Sequence, residues 1–347
     1  MQGDWYLERA IFDTIRFYSL LEMPLTQVQI WRSLVVARDE SGQRWHGHHV
    51  PSLKEIRDTL GNSSELMKKV GSLWGYYWLR SAVQNQTAEG ETEDEVAERY
   101  VRKRLIRHTI AQQKWKIARR VGWWFGLVPL VRMIGGSGSL AWFNTNSSSD
   151  VDLFVVVRQG RIWTARALSL LISQLSGRRR KYWDEISPDN ICLNHYITED
   201  ALLMNRAVRN LYMAQQYASM VPLIGRGVFG NWWEINQPWL RQYVIYPERR
   251  FIESRLYIRG GGIWWQCMKG FIENWLMEWP GDWLEILLRR MQLWAIRKHE
   301  GRRGELGSKG WHNHIVLTKN ELAFHPKTKV PVILNRYYEE EGQRTLL

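Results

Sequence analysis

Cysteine is nearly absent: Cys192 and Cys267 are the only two in 347 residues. Two thiols cannot build a disulfide framework or a four-cysteine zinc site, so they read as free thiols in a reducing, cytoplasmic setting. No run of roughly 18 apolar residues occurs, so no hydrophobic span and no stable membrane insertion are expected. Met1-Gln2-Gly3-Asp4 opens without an apolar leader, and secretion is not expected. Internal repeats and low-complexity segments are lacking. Acid is in deficit, with 35 Asp and Glu against 48 Lys and Arg, a net charge of +13 and an isoelectric point near 9.8. The surface is therefore electropositive and suited to anionic partners: nucleotides, nucleic acid or an anionic membrane face. Phenylalanine is scarce, with 9 against 21 tryptophans. Tryptophan must fill core positions that Phe or Leu would take elsewhere, or serve as stacking platforms and interfacial anchors.

What is present suffices for a packed protein. A 45% hydrophobic fraction supports a sizeable core, a 24% charged fraction argues against wholesale disorder, and the length allows two or three domains.

The chemistry concentrates between Val131 and Val157. Gly138-Ser139 forms a small-residue turn, a polar Asn/Ser loop follows, and Asp150-Val151-Asp152 leads into the apolar strand Leu153-Phe154-Val155-Val156-Val157. Two carboxylates two positions apart on a strand share one face. Like charges that close repel unless a cation sits between them. Mg²⁺, which takes one or two carboxylates and completes its shell with water and phosphate oxygens, suits such a pair.

Gly138-Ser139, ten residues, then Asp150-x-Asp152, continued by Leu140-Ala141 after the serine, resembles the signature of the nucleotidyltransferase superfamily. That superfamily includes polymerase-beta-like, CCA-adding and antibiotic-adenylylating enzymes. The resemblance covers roughly residues 128–224. It implies that Gly138, Ser139 and Ser149 contact a nucleoside triphosphate, with Ser139 at the β/γ-phosphates. It implies that Asp150 and Asp152 ligate Mg²⁺ (or Mn²⁺), and that NMP passes to a hydroxyl acceptor with release of pyrophosphate.

The expected fold is α/β (α+β): a mixed sheet flanked by helices, an N-terminal winged-helix-like domain and a mostly helical C-terminal region. Residues 1–90 carry apolar helical spacing at Leu7, Ile11, Ile15, Tyr18 and Leu21. Capping boxes follow at Thr26-x-x-Gln29 and Ser52-x-x-Glu55, then a hairpin pattern over Val70–Leu79. The polar loop Arg38–Val50 is longer than a winged helix needs. The helix near 52–60 carries Lys54 and Arg57 beside Glu55 and Asp58, and reads either as a nucleic-acid contact or as a packing module. Residues 91–127 form one long basic helix, whose Arg102, Arg107 and Lys114 are candidate RNA or DNA contacts. The core over 128–224 reads strand, helix, strand, helix, strand, with Thr164–Leu175 the second helix, 190–197 the last strand and 201–224 a helix after it. Residues 225–347 read as helical and Trp-rich, broken at Pro280-Gly281-Asp282, with strand fragments at His314–Leu317 and Leu322–His325.

Members of the superfamily place a third carboxylate on a later strand. The matching strand, 190–197, has no acid. Asn194 occupies the corresponding place and can offer an amide oxygen but cannot act as a base. Asp189 is the fallback, and His195 is expected on the opposite strand face. Lys114 or Arg178–Lys181 could face a leaving pyrophosphate. His312, His314 and His325 fit no zinc spacing. Two readings stand: a Mg²⁺-dependent nucleotidyltransferase, or a degenerate member binding nucleotide or nucleic acid in a regulatory role. Peripheral membrane contact through 263–298 is a third, opposed by Glu273, Glu278, Asp282 and Glu285.

Overall fold

The computed structural model describes residues 2–37, 50–84, 90–179, 188–245, 254–258, 262–301, 314–325 and 330–339. Most of the Arg38–Val50 loop, Arg180 and Lys181, and His312 lie outside them.

Helices at the N-terminus form where apolar spacing and caps agree. The first, α1 (Gln2–Ser19), buries Leu7, Ile11, Ile15 and Tyr18. Both expected capping boxes close: Gln29 N–H donates to the Thr26 side chain and Glu55 N–H to that of Ser52. They open α2 (Gln27–Arg32), just after the short β1 (Leu25–Thr26), and α3 (Leu53–Asn62). After α4 (Ser64–Lys69), β2 (Val70–Leu73) and β3 (Tyr76–Leu79) make the hairpin across Trp74-Gly75, both at positive φ as a two-residue primed turn requires. The small sheet runs β1-β3-β2. Then come α5 (Arg80–Gln84) and the 34-residue α6 (Glu93–Gly126), which Thr92 and Glu95 open with a third capping box.

A six-stranded mixed sheet forms the centre of the molecule. Its strands are β4 (Val131–Gly136), β5 (Val151–Val157), β6 (Ile191–Thr198), β7 (Val221–Ile224), β8 (His314–Leu317) and β9 (Glu321–His325), in the order β7-β4-β5-β6-β9-β8. Among the described strands only β5 and β6 pair in parallel, through the crossover helix α8 (Ile162–Leu175); the other neighbours are antiparallel. The four-residue α7 (Gly138–Ala141) follows β4 directly. Further along lie α9 (Leu211–Ala218), α10 (Arg226–Leu240), α11 (Ile263–Met277), α12 (Trp279–Gly301) and α13 (Val330–Glu339).

Strand alternation divides the core. Val151, Leu153, Val155 and Val157 of β5 pack with Trp115 and Phe125 of α6, Ile162 of α8, Leu276 of α11 and Ile296 of α12. Phe154 and Val156 face the other way, toward Tyr217 of α9 and Trp232 and Trp233 of α10. The N-terminal elements form a third core that also takes in Trp142, Leu211, Ile333 and Tyr337. Tryptophans 115, 232, 233 and 239 are all buried, which meets the core reading for that part of the complement.

Two expectations change. The single helix anticipated over 201–224 is helical only at Leu211–Ala218, and Val221–Ile224 is the edge strand β7. Pro222 has no N–H to donate, so an edge strand accommodates it where a helix interior or a central strand does not. The sheet also extends beyond 224, because β9 covers β6 and brings residues 314–325 into the same layer. A pairing that distant has no local sequence signal. At the expected break, α11 ends at Met277 and Pro280 lies in the first turn of α12, where a missing N–H leaves no helical bond unmade.

Candidate metal and nucleotide site

Strand β5 carries Asp150 just before it and Asp152 at its second residue, and the two-residue period turns both to the Phe154 side of the sheet. One oxygen of each carboxylate and the Cys192 sulfur lie within 4.8 Å of one another. Cys192 reaches this place because the parallel register sets it opposite Asp152. Its side chain is buried and forms no disulfide.

The Gly-Ser turn closes on the same carboxylate. Gly138 has φ +62°, and a Cβ there would stand 2.8 Å from Asp152 Oδ2. The Ser137 N–H donates to the Asp152 carbonyl at 3.1 Å. Gly136, the last residue of β4, has the indole of Trp115 where a Cβ would be, 2.3 Å away. Both glycines are therefore needed for close approach, one to the acid and one to α6.

Helix α6 holds the turn and the polar loop from below. Trp115 Nε1 donates to the Leu140 carbonyl at 3.1 Å, and the buried Arg104 guanidinium donates to the carbonyls of Trp142 and Phe143. Burial lowers the pKa of Arg104 to about 10. Lys114, only 1% exposed, donates from Nζ to the carbonyls of Ser147 (3.2 Å) and Ser149 (2.7 Å) and to Asp189 Oδ1 (2.7 Å). The Ser149 hydroxyl accepts from Asn146 N–H at 3.3 Å, folding the loop into a turn before Asp150. Ser139 is half-buried, and its carbonyl accepts from Asn144 N–H at 3.0 Å.

No protein-family model, curated protein or solved structure matches this chain. The site has to be judged on its own geometry.

That geometry brings together Gly138, Asp150, Asp152 and Asn194, whose Nδ2 donates to Asp152 Oδ1 at 3.1 Å. A register shift between Asp152 and Phe154 marks a bulge in the β5–β6 pairing. It corrects the expectation for His195, which stands on the same side as Asn194. His195 packs edge-on against the Phe154 ring at 4.9 Å and bonds Glu321 Oε1 at 3.1 Å. The fallback acid, Asp189, is not in the cluster. It has φ +59° and receives the Lys114 ammonium, with Arg178 Nη1 at 4.0 Å from its other oxygen.

Lys114 is a correction as a nucleic-acid contact and as a pyrophosphate ligand, because an ammonium that is buried and bonded three ways faces inward. Arg107 is bound to Glu22 through its carbonyl (3.1 Å) and carboxylate (2.8 Å), and its side chain is 12% exposed. Arg102 is the outward member of the three, paired with Glu98 and lying 5.3 Å over the Trp74 ring. An open cleft of about 730 Å³ runs between this helix face and the loop, lined by Arg99, Arg102, Lys103, Ile106 and Ser147 among others. It ends next to the segment that carries Asp150.

Sequence reasoning passed over two residues at the site. Cys192 was legible in principle, since β6 alternation puts it on the Asn194 face. Tyr212 of α9 was not, because only the fold brings it near. Burial pushes its hydroxyl up to about 12, and the charge of Asp152 adds to the shift. His314 and His325 are backbone partners across β8 and β9.

Proposed function

We propose that this chain binds a nucleoside triphosphate together with Mg²⁺ or Mn²⁺ and transfers NMP to a hydroxyl acceptor, in the manner of the nucleotidyltransferase superfamily. The observation that carries the reading is the convergence of Asp150 and Asp152 on the Gly138 turn, with Asp152 filling the space a side chain at 138 would need.

The donor set fits a hard divalent cation at two of its three corners. Asp150 and Asp152 supply oxygens, whereas the Cys192 thiol is a soft donor that Mg²⁺ does not favour. A cation held there would offset the charge of the phosphates during transfer. The protein's own part is positional. Lys114 and Asp189 hold the loop before Asp150, Arg104 and Trp115 hold α7, and Asn194 orients Asp152. The order α1-β1-α2-α3 followed by the β2–β3 hairpin supports the winged-helix-like reading of the N-terminus. Together with the cleft beside Arg102, it favours RNA or DNA as the acceptor.

The test is incorporation of label from an α-labelled NTP with Mg²⁺ or Mn²⁺, comparing wild type with Asp150→Ala/Asp152→Ala. The variant is expected to lose at least ~10²-fold of the rate; identical traces would reject the proposal. One observation favours a second reading, nucleotide binding without turnover: Asn194 and Cys192 stand beside Asp152 where the superfamily has a third acid. In that case NTP binds with no product, and Asn194→Asp is expected to raise turnover from that floor.

A further inference from the structure

The α11–α12 hairpin exposes an apolar face far larger than its packing needs. On α11, Trp264 (91% exposed), Met268, Phe271 and Trp275 recur at helical spacing; on α12, Trp279, Trp283, Ile286, Leu287, Met291 and Trp294 do the same. The opposite faces carry Leu276 and Ile296 into the core. Monomeric proteins rarely leave a contiguous apolar surface of this kind without a partner.

Charge identifies the partner. The acids that argue against an anionic surface are turned inward or already paired. Glu273 is buried and accepts from Leu130 N–H and Arg132 Nη1, both at 2.9 Å. Glu285 accepts from the N–H groups of Trp163 and Thr164 at 2.9 and 2.8 Å, capping α8. Asp282 holds the Arg161 guanidinium at 2.6 Å. Among the described side chains of the hairpin, only Glu278 is an exposed acid without such a tie. The cations are not consumed: Arg290, Arg297 and Lys298 are exposed and share the helical face of the α12 tryptophans, with Lys298 Nζ 4.8 Å over the Trp294 ring. Lys269 is the exception, donating inward to the carbonyls of Gly126 and Val131.

A face of Trp, Phe, Leu and Met interleaved with Arg and Lys matches the interface of a bilayer. There indole rings sit at headgroup depth and guanidinium groups meet lipid phosphates. A second copy of the chain fits less well, since it would bring the same cations into an apolar contact with Glu278 alone among the described hairpin acids left to pair them. We infer that the outer face of α11 and α12 docks on anionic membranes, lying in the interface without spanning the bilayer. The inference is independent of the nucleotide site on β5.

The test is flotation of the full chain with vesicles of phosphatidylcholine alone and of phosphatidylcholine mixed with phosphatidylglycerol. Wild type is expected to float with the anionic vesicles only, and less at high salt. Trp275→Ser/Trp283→Ser removes two exposed rings and is expected to weaken binding about tenfold or more. Arg290→Glu/Arg297→Glu is expected to weaken it at least roughly 20-fold. Circular dichroism checks that both variants keep their helices, as substitutions at exposed positions should. Absence of flotation with anionic vesicles, or a tryptophan variant that floats as wild type does, overturns the inference. So does light scattering that shows a dimer lost in the tryptophan variant, which would make this face a contact between copies.

Discussion

Gly138 shows how little freedom the candidate site has at the scale of one residue. Its φ of +62° lies where L-residues are disfavoured, and the nearest obstacle to a Cβ is the movable end of the Asp152 side chain. Gly138→Ala is therefore expected to cost only about 1 kcal/mol in denaturant unfolding. It should displace the Asp152 carboxylate and weaken Mn²⁺ binding by more than that stability loss would suggest. Titration of Mn²⁺ into both proteins checks this; equal affinities would show that the carboxylate is not where the metal binds. The two acids and the Gly-Ser turn were legible in the sequence, because a period of two and a small-residue turn are local properties. The His195 orientation was not, since it depends on how β6 registers against β5 and on the bulge within that pairing.

At the level of elements, α6 carries the largest change of meaning. Its run of Arg and Lys reads from sequence as a footprint for a polyanion, yet the chain uses several of those cations internally. Arg104 ties down the end of α7, Arg107 ties down Glu22, and Lys114 ties down the loop of Ser147 and Ser149. The helix is a strut beneath the site first and a charged surface second. Lys114→Met leaves Asp189, 40% exposed, able to regain water. The expected destabilisation is thus about 1–3 kcal/mol, below the usual cost of breaking a fully buried pair. Urea unfolding measures it, and protease cleavage should appear within 146–150 as the loop loosens. A change within about 0.5 kcal/mol and no new cleavage would mean that the loop stands without its lysine.

Across the whole molecule, Glu273 joins the C-terminal hairpin to the central sheet. Burial pushes its carboxyl up, but the bonds from Arg132 and the Leu130 N–H and the charges of Arg132 and Lys269 outweigh that and hold it below the ordinary value of 4.5. A group whose folded pKa is depressed contributes stability above its unfolded value, and loses it as pH falls through the lower folded value. Stability should therefore decline on acidification below that range, with the α11 anchor among the causes. Glu273→Gln is expected to cost about 2 kcal/mol at neutral pH and to flatten the acid limb of the stability profile. Denaturant unfolding of both proteins from neutral pH down to about pH 2 checks it; parallel profiles would remove Glu273 from the account.

The sequence by itself determined the helices opened by Thr26 and Ser52, the long basic helix, the Trp74-Gly75 hairpin, the strand behind Asp152 and, among the described residues, the lack of a helix long and apolar enough to cross a membrane. Each follows from side-chain periodicity, caps and turn chemistry within a few residues. Tertiary structure alone decided that 221–224 is a strand and that residues 314–325 complete the sheet. It also decided how β6 registers against β5, that Glu273, Asp282 and Glu285 of the Trp-rich hairpin are tied to the core, and that Arg290, Arg297 and Lys298 stay outside. Those outcomes rest on pairing and burial between segments far apart in the chain, where a residue's partner rather than its neighbours sets which way its charge points.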